Sequence, residues 1–184
     1  MAVQPVVKIG SKTLLTPSKP VEKITQELKQ TLIQDMLDTM KAEDGAGLAA
    51  PQIGVNLRVM IFGMEKNPRY PDVEPVPTTI LINPSFKPLS EEKEEGWEGC
   101  LSIPGYRGVV KRFKHIEYRG FDENGQVTVR QVGDFHARVF QHEYDHLDGI
   151  LYVHRIEDMR YFGLTEELQK SGMIDNSEAA TPHE

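Results

Sequence analysis

Gln141-His142-Glu143-Tyr144-Asp145-His146 is the stretch on which the reading of this chain turns. His142 and His146 are four residues apart, so on a helix they are separated by about 40° and stand one turn above each other. Both imidazoles can then approach one cation at roughly 2.0–2.1 Å, the usual Zn–N distance. On a strand the same spacing would hold the two rings apart. Ala137, Phe140, Tyr144 and Leu147 form an apolar stripe at 3–4 spacing, and Gly149 sits where a helix would stop, so the pattern predicts a helix over 135–148 with Asp134 as its cap. Glu143 lies beside the histidine face, where its carboxylate can take the proton of a metal-activated water instead of binding the metal. The plainer alternative, two histidines meeting a glutamate by chance, explains the spacing less well. His115, His136, His154 and His183 do not share the pattern and read as solvent or core histidines.

Two histidines leave a tetrahedral site short by at least one ligand, and another histidine, a carboxylate or the lone cysteine could supply it. Cys100 sits in Glu98-Gly-Cys-Leu-Ser102-Ile-Pro-Gly105. A buried free cysteine is commonly just a small hydrophobe. Here Gly99 before it and Ser102-Ile-Pro-Gly105 after it suggest a specified turn, which favours a ligand. A third segment, Gly45-Ala-Gly-Leu-Ala-Ala-Pro-Gln52, has glycines that permit close backbone approach, and Gln52 adds an uncharged donor amide. It lacks the Gly-Lys-Ser/Thr ending of a phosphate loop.

Further out, Thr25 is a candidate N-cap, and Leu28, Leu32, Ile33, Met36, Leu37 and Met40 predict an amphipathic helix over 26–42. Residues 58–62 and 79–82 have strand character, the second ending at Asn83-Pro84, with a proline-rich loop from Gly63 to Thr79 between them. Residues 115–121 and 126–132 flank Asp122-Glu-Asn-Gly125 and predict a β-hairpin with Ile116, Tyr118, Val127 and Val129 on one buried face. The acidic run 91–98 reads as mostly exposed, and Trp97 as core or rim packing. After Leu168 the chain turns polar and acidic. Strands lying between two long helices predict an α+β fold, largely antiparallel sheets packed around a central metal-binding helix with an N-terminal helix, as one catalytic domain over 1–168 and a mobile tail over 169–184.

A length of 184 residues suits one domain that buries roughly 70% of the surface its unfolded chain exposes. A hydrophobic fraction of 39% rules out a disordered chain. With 21 basic and 28 acidic residues the net charge is −7, which argues against a general grip on nucleic acid or anionic lipid. No stretch reaches the roughly 18 apolar residues of a membrane span, and the first ten residues lack a signal-peptide pattern. One cysteine makes no internal disulfide, so the expectation is a cytoplasmic protein.

Taken together, Gly45–Gln52, Glu98-Gly-Cys-Leu-Ser102 and Gln141–His146, in this order and spacing, resemble the peptide deformylase family, over about residues 5–165. The resemblance implies that Cys100, His142 and His146 bind one divalent metal, most often Fe2+, with Zn2+, Ni2+ or Co2+ able to substitute, and that a water completes the site. It implies Glu143 as general base and then acid, and Gln52 with the Leu101 N–H as oxyanion donors. Gly45, Ala46, Gly47 and Leu48 would line the peptide cleft. Val139, in the turn before His142, suits an apolar methionine pocket, while Arg138 beside it would point away or pack only its stem there. The implied reaction removes formyl from N-formylmethionyl nascent peptides, with a transient ribosome contact as a further expectation. Glu98 and Asp145 are candidates to orient the histidines or to pair a buried arginine. A zincin-like peptidase and a non-catalytic metal module are the competing readings. The first shares His-Glu-x-x-His; the second needs a fourth protein ligand that the sequence does not offer.

Overall fold

The computed structural model describes residues 2–64 and 75–175. Most of the proline-rich loop, and the chain beyond residue 175, lie outside the described residues. Eight strands among them form two antiparallel sheets. The larger has the order β1 (Gly47–Ala49), β2 (Val59–Met64), β3 (Val76–Pro88), β6 (His115–Phe121) and β7 (Val127–Gly133). The smaller has the order β4 (Lys93–Cys100), β5 (Ile103–Phe113) and β8 (Phe162–Leu164). Three α-helices, α1 (Gln34–Ala42), α2 (Asp134–Leu147) and α3 (Thr165–Lys170), complete the α+β arrangement.

The strand Val59-Met-Ile-Phe62 shows why the core is layered. Val59 and Ile61 pack with Leu32, Ile33, Met36 and Met40 of the N-terminal helix. Met60 and Phe62 face the other way, toward Ala137, Val139, Phe140 and Leu147 of α2. Both faces are covered, so the run is apolar without alternation. On the α2 side Phe62, Phe86, Tyr118, Phe140 and Tyr144 form a chain of aromatic contacts, with Phe140 stacked on Tyr118 at 4.6 Å. His136 lies against the Phe62 and Tyr118 rings, a core histidine.

The N-terminal helix is where it was expected, and Thr25 Oγ1 accepts the Leu28 N–H at 3.1 Å. Its first part, Leu28–Ile33, is wound as a π-helix before α1 begins. The hairpin of β6 and β7 is present with Gly125 at φ 76°. The expected shared face is not. Ile116 pairs with Val132 and Tyr118 with Arg130, whereas Val127 and Val129 pair with Phe121 and Arg119. Cross-strand partners share a face, so Val127 and Val129 lie opposite the buried Ile116 and Tyr118 and are 56% and 54% exposed.

Two further expectations change. β3 does not stop at Asn83-Pro84 but continues to Pro88 through a register shift between Ile82 and Ser85, and Asn83, at φ 51°, carries the irregularity. Asp134 does not cap α2: it takes φ 50° as the first helical residue, and Gly133 holds the cap position with no side-chain bond. The acidic run is mostly exposed, as expected, over residues 91–95; from Lys93 it forms the strand β4, which is buried at Glu98. The polar segment past residue 168 begins inside α3, and Leu168 and Ile174 are buried.

Candidate metal centre

The segment carrying Cys100 is the tip of the β4–β5 hairpin. Cys100 pairs with Ile103 across a two-residue turn, Leu101-Ser102, after a register shift at Gly99. The tip packs with Leu14, Leu151 and Tyr152, so the thiol is fully buried. Helix α2 lies alongside and brings His142 and His146 to it, both 1% exposed. A ligand atom of each of Cys100, His142 and His146 lies within 4.8 Å of the others, and this is the one such group among the described residues. Cys100 Sγ is 3.3 Å from His146 Nε2.

Glu98, two residues before the cysteine, fixes the histidine from behind. Its Oε2 lies 3.0 Å from His142 Nδ1, so Nε2 is the nitrogen of that ring that could hold a metal. Arg112 forks onto both Glu98 oxygens at 2.8 Å and reaches Asp145 with its remaining nitrogen, and Arg155 closes on Asp145 at 2.7 Å. Asp145 therefore pairs arginines rather than a histidine. Arg138 adds a third cation to this cluster. Its guanidinium lies on Gly96, where a Cβ would come within 2.8 Å, and donates to Glu98 Oε1, Val110 O and Glu94 O at 2.8–3.0 Å. It thereby ties α2 to the sheet that carries Cys100. Trp97 points to the outer face of that sheet, on a 560 Å³ cavity with Val109, Tyr161 and Met173.

Burial works against charge on Glu98, yet the charge and hydrogen bonds of Arg112, then those of His142, hold its carboxyl well below the usual range. Burial alone would lower His142; Cys100 and Glu98 outweigh it and raise the imidazole well above its ordinary value. Burial, His142 and Arg112 push His146 well below its own. The thiol and carboxylate thus favour positive charge between them, the sign a divalent cation brings, and one sulfur with two imidazole nitrogens suits iron, cobalt or zinc.

Two more predicted residues converge here. Gln52 is fully buried; its Oε1 accepts the Ala49 N–H at 2.8 Å, which turns Nε2 toward Cys100 Sγ at 3.5 Å and Ser102 Oγ at 3.3 Å. Glu143 is fully buried against Gly47, where a Cβ would come within 2.7 Å of its Cγ and Cδ. Ala46, Gly47 and Leu48 lie at or in β1, buried, with Gly45 half-buried beside them. β1 is an end strand of its sheet, so one of its edges carries no strand partner. Val139 is buried in the core behind α2 with Phe140 and Phe62.

A family model described as Polypeptide deformylase matches residues 3–161. This chain belongs to the peptide deformylase family. It is 56% identical over 166 residues to peptide deformylase 1 of Nitrosomonas europaea, covering 90% of this chain and 94% of that one. It is 54% identical, with the same coverage, to peptide deformylase 2 of Ralstonia nicotianae. Among solved structures, the Met-Ala-Ser-bound class I type b peptide deformylase of Acinetobacter baumannii superposes with a TM-score of 0.79 at 38% identity, over 84% of this chain and 99% of that one. The actinonin complex of the Synechococcus elongatus enzyme gives 0.77 at 37% identity, over 96% and 91%. The chain is accordingly a peptide deformylase, a metalloenzyme that removes the formyl group from the N-formylmethionine of nascent peptides. The zincin-like and non-catalytic readings fall with that assignment. No helix among the described residues is long and apolar enough to cross a membrane.

The sequence reading gave no role to Arg138 in the Glu98 cluster. Its one available signal was the glycine at position 96, which only the packed structure connects to it.

Proposed function

We propose that this deformylase holds one divalent ion, Fe2+ in the cell, on Cys100 Sγ, His142 Nε2 and His146 Nε2, and that Glu143, Gln52 and Leu101 carry out the proton transfers and charge stabilisation around it. When bound, the ion supplies a Lewis acid that polarises the formyl carbonyl and makes hydroxide accessible near neutral pH. Glu143 takes the proton of the attacking water and passes it to the departing amine, which cannot leave as an anion. A thiolate ligand weakens the Lewis acid, so this proton transfer carries more of the barrier. Gln52 Nε2 and the Leu101 N–H donate to the oxyanion that develops on the formyl oxygen. Gln52 brings no charge to compete with the metal.

The observation that carries this reading is the pair of groups flanking the donor set: Gln52 Nε2 at 3.5 Å from Cys100 Sγ, and Glu143 buried one residue from His142. The edge of β1 that carries no strand partner suits an extended peptide held by main-chain bonds along residues 45–48, with Val139 contributing to the apolar surroundings of the methionine side chain. We read residues 1–168 as the catalytic domain and 169–184 as a polar extension. The enzyme works in the cytoplasm, where its substrates emerge, through a transient ribosome contact; the net charge of −7 restricts that contact to a local patch.

The test is formate release from a formyl-Met peptide by anaerobically purified protein, with elemental analysis. Glu143→Gln is expected to keep its metal and lose turnover by about 10²–10⁴-fold. Cys100→Ala is expected to lose stoichiometric metal. Full turnover in the first variant, or tight metal binding in the second, would sink the respective assignment.

A further inference from the structure

Three consecutive residues near the N-terminus touch the two segments that flank the metal centre. The Val7 N–H donates to the carbonyl of Gln52 at 2.7 Å, and the Ile9 N–H to the carbonyl of Ser102 at 2.9 Å. Between them the ammonium of Lys8 donates to the carbonyl of Leu101 at 2.7 Å. That carbonyl belongs to the peptide joining Leu101 to Ser102, and the N–H at its other end, on Ser102, donates to Cys100 Sγ at 3.4 Å. One amide is therefore held at its oxygen by a cation and at its nitrogen by the sulfur.

An ammonium on an amide oxygen draws electron density through the C–N bond and makes the N–H a stronger donor, the cooperative effect that links hydrogen bonds in series. A stronger N–H takes more charge from a thiolate, and a poorer thiolate leaves the metal a better Lewis acid. The same bond fixes the two-residue turn in which the Leu101 N–H is presented. Lys8 itself is solvent-exposed, and the Val7 and Ile9 main-chain bonds tether the segment whatever side chain stands between them.

We propose that Lys8 is a positioning residue for the deformylase reaction, acting through the Leu101–Ser102 peptide on the Cys100 thiolate and on the turn that presents the Leu101 N–H. The proposal rests on the reading that Cys100 is a metal ligand and Leu101 an oxyanion donor.

The test uses the full chain loaded with cobalt, comparing the unsubstituted protein with Lys8→Met and Lys8→Arg. Absorption reads the sulfur-to-cobalt charge-transfer band, and formate release reads kcat and KM. Lys8→Met is expected to remain folded and metal-loaded, to shift the band to lower energy, and to lose kcat by about three- to tenfold with KM nearly unchanged, the fold-change that one hydrogen bond of ordinary net strength carries. Lys8→Arg, which keeps a cationic donor, is expected to recover both readouts. A Lys8→Met band at the energy of the unsubstituted protein, or an unchanged kcat, overturns the proposal. Absence of a sulfur-to-cobalt band in the unsubstituted protein overturns the ligand reading itself, and the proposal with it, so the two failures are told apart.

Discussion

Gly47 lies flat against the side chain of Glu143: a methyl group on its Cα would come within 2.7 Å of both Cγ and Cδ. Both elements are buried, and the contact is with the middle of the Glu143 side chain as well as its tip. The glycine is thus the space in which the proposed proton carrier stands. Gly47→Ala is expected to displace the carboxylate, cutting kcat by about 10²-fold or more while metal content stays stoichiometric, because the ligands lie on other segments. Kinetics with metal analysis checks this; a fully active alanine variant would show that Glu143 does not act from this position.

Gln52 accepts the Ala49 N–H at Oε1, which turns its NH2 group toward Cys100 Sγ and Ser102 Oγ. Gln52→Leu keeps the shape and removes the donor. The expected loss in kcat is about 10²–10³-fold, with smaller change in KM, since the donor matters most where the oxyanion forms. A variant within a few-fold of the unsubstituted enzyme would remove Gln52 from the proposed oxyanion site.

Glu98 is the hub of the buried ion cluster, touched by Arg112, Arg138 and His142. Glu98→Gln would leave Arg112 with Asp145 alone, which Arg155 already shares, and Arg138 with only the carbonyls of Val110 and Glu94. Removing one partner of a buried pair typically costs about 3–5 kcal/mol, and loss of a ligand's hydrogen-bond partner lowers metal affinity about 10–100-fold. Urea unfolding of the metal-free protein reads the first, and chelator competition the second. Unchanged metal affinity would mean that Glu98 supports the sheet without orienting His142.

His136 gives a pH dependence away from the metal. Burial, then the nearby Arg130 charge, lowers its pKa from 6.5 to about 4. The unfolded chain therefore binds the proton more readily than the folded one. The associated stability is fully present above about pH 6.5 and is lost progressively as pH falls toward 4. His136→Phe, which retains a ring against Phe62 and Tyr118, should lose less melting temperature than the unsubstituted protein between pH 7 and pH 4.5. Parallel melting curves across that interval would contradict the shift.

The two helices and the β6–β7 hairpin were legible because each follows from local spacing: 3–4 apolar stripes, a threonine cap, an Asn-Gly turn. The smaller sheet was not. β4 and β5 carry Glu94, Glu98, Gly96, Arg107 and Arg112 where a strand pattern needs apolar residues, and a run of carboxylates reads as a solvated face. Glu98 is buried because Arg112 and Arg138 neutralise it, and Arg138 comes from a helix more than 20 residues further along. The wrong face given to Val127 and Val129 has a similar origin, since alternation fixes which residues share a side but not which side meets the core.

The sequence by itself determined the candidate ligand types, the one-turn spacing that makes His142 and His146 a pair, and the family to which three ordered motifs belong. These are covalent spacings and side-chain chemistries, fixed before folding. Only the tertiary structure decided which oxygen holds which nitrogen: Glu98 on His142, Asp145 on Arg112 and Arg155, Gln52 turned toward Cys100, Lys8 on Leu101. Those relations join segments from 10 to more than 90 residues apart. They come from packing and charge neutralisation in a water-excluded space, which no local window of sequence contains.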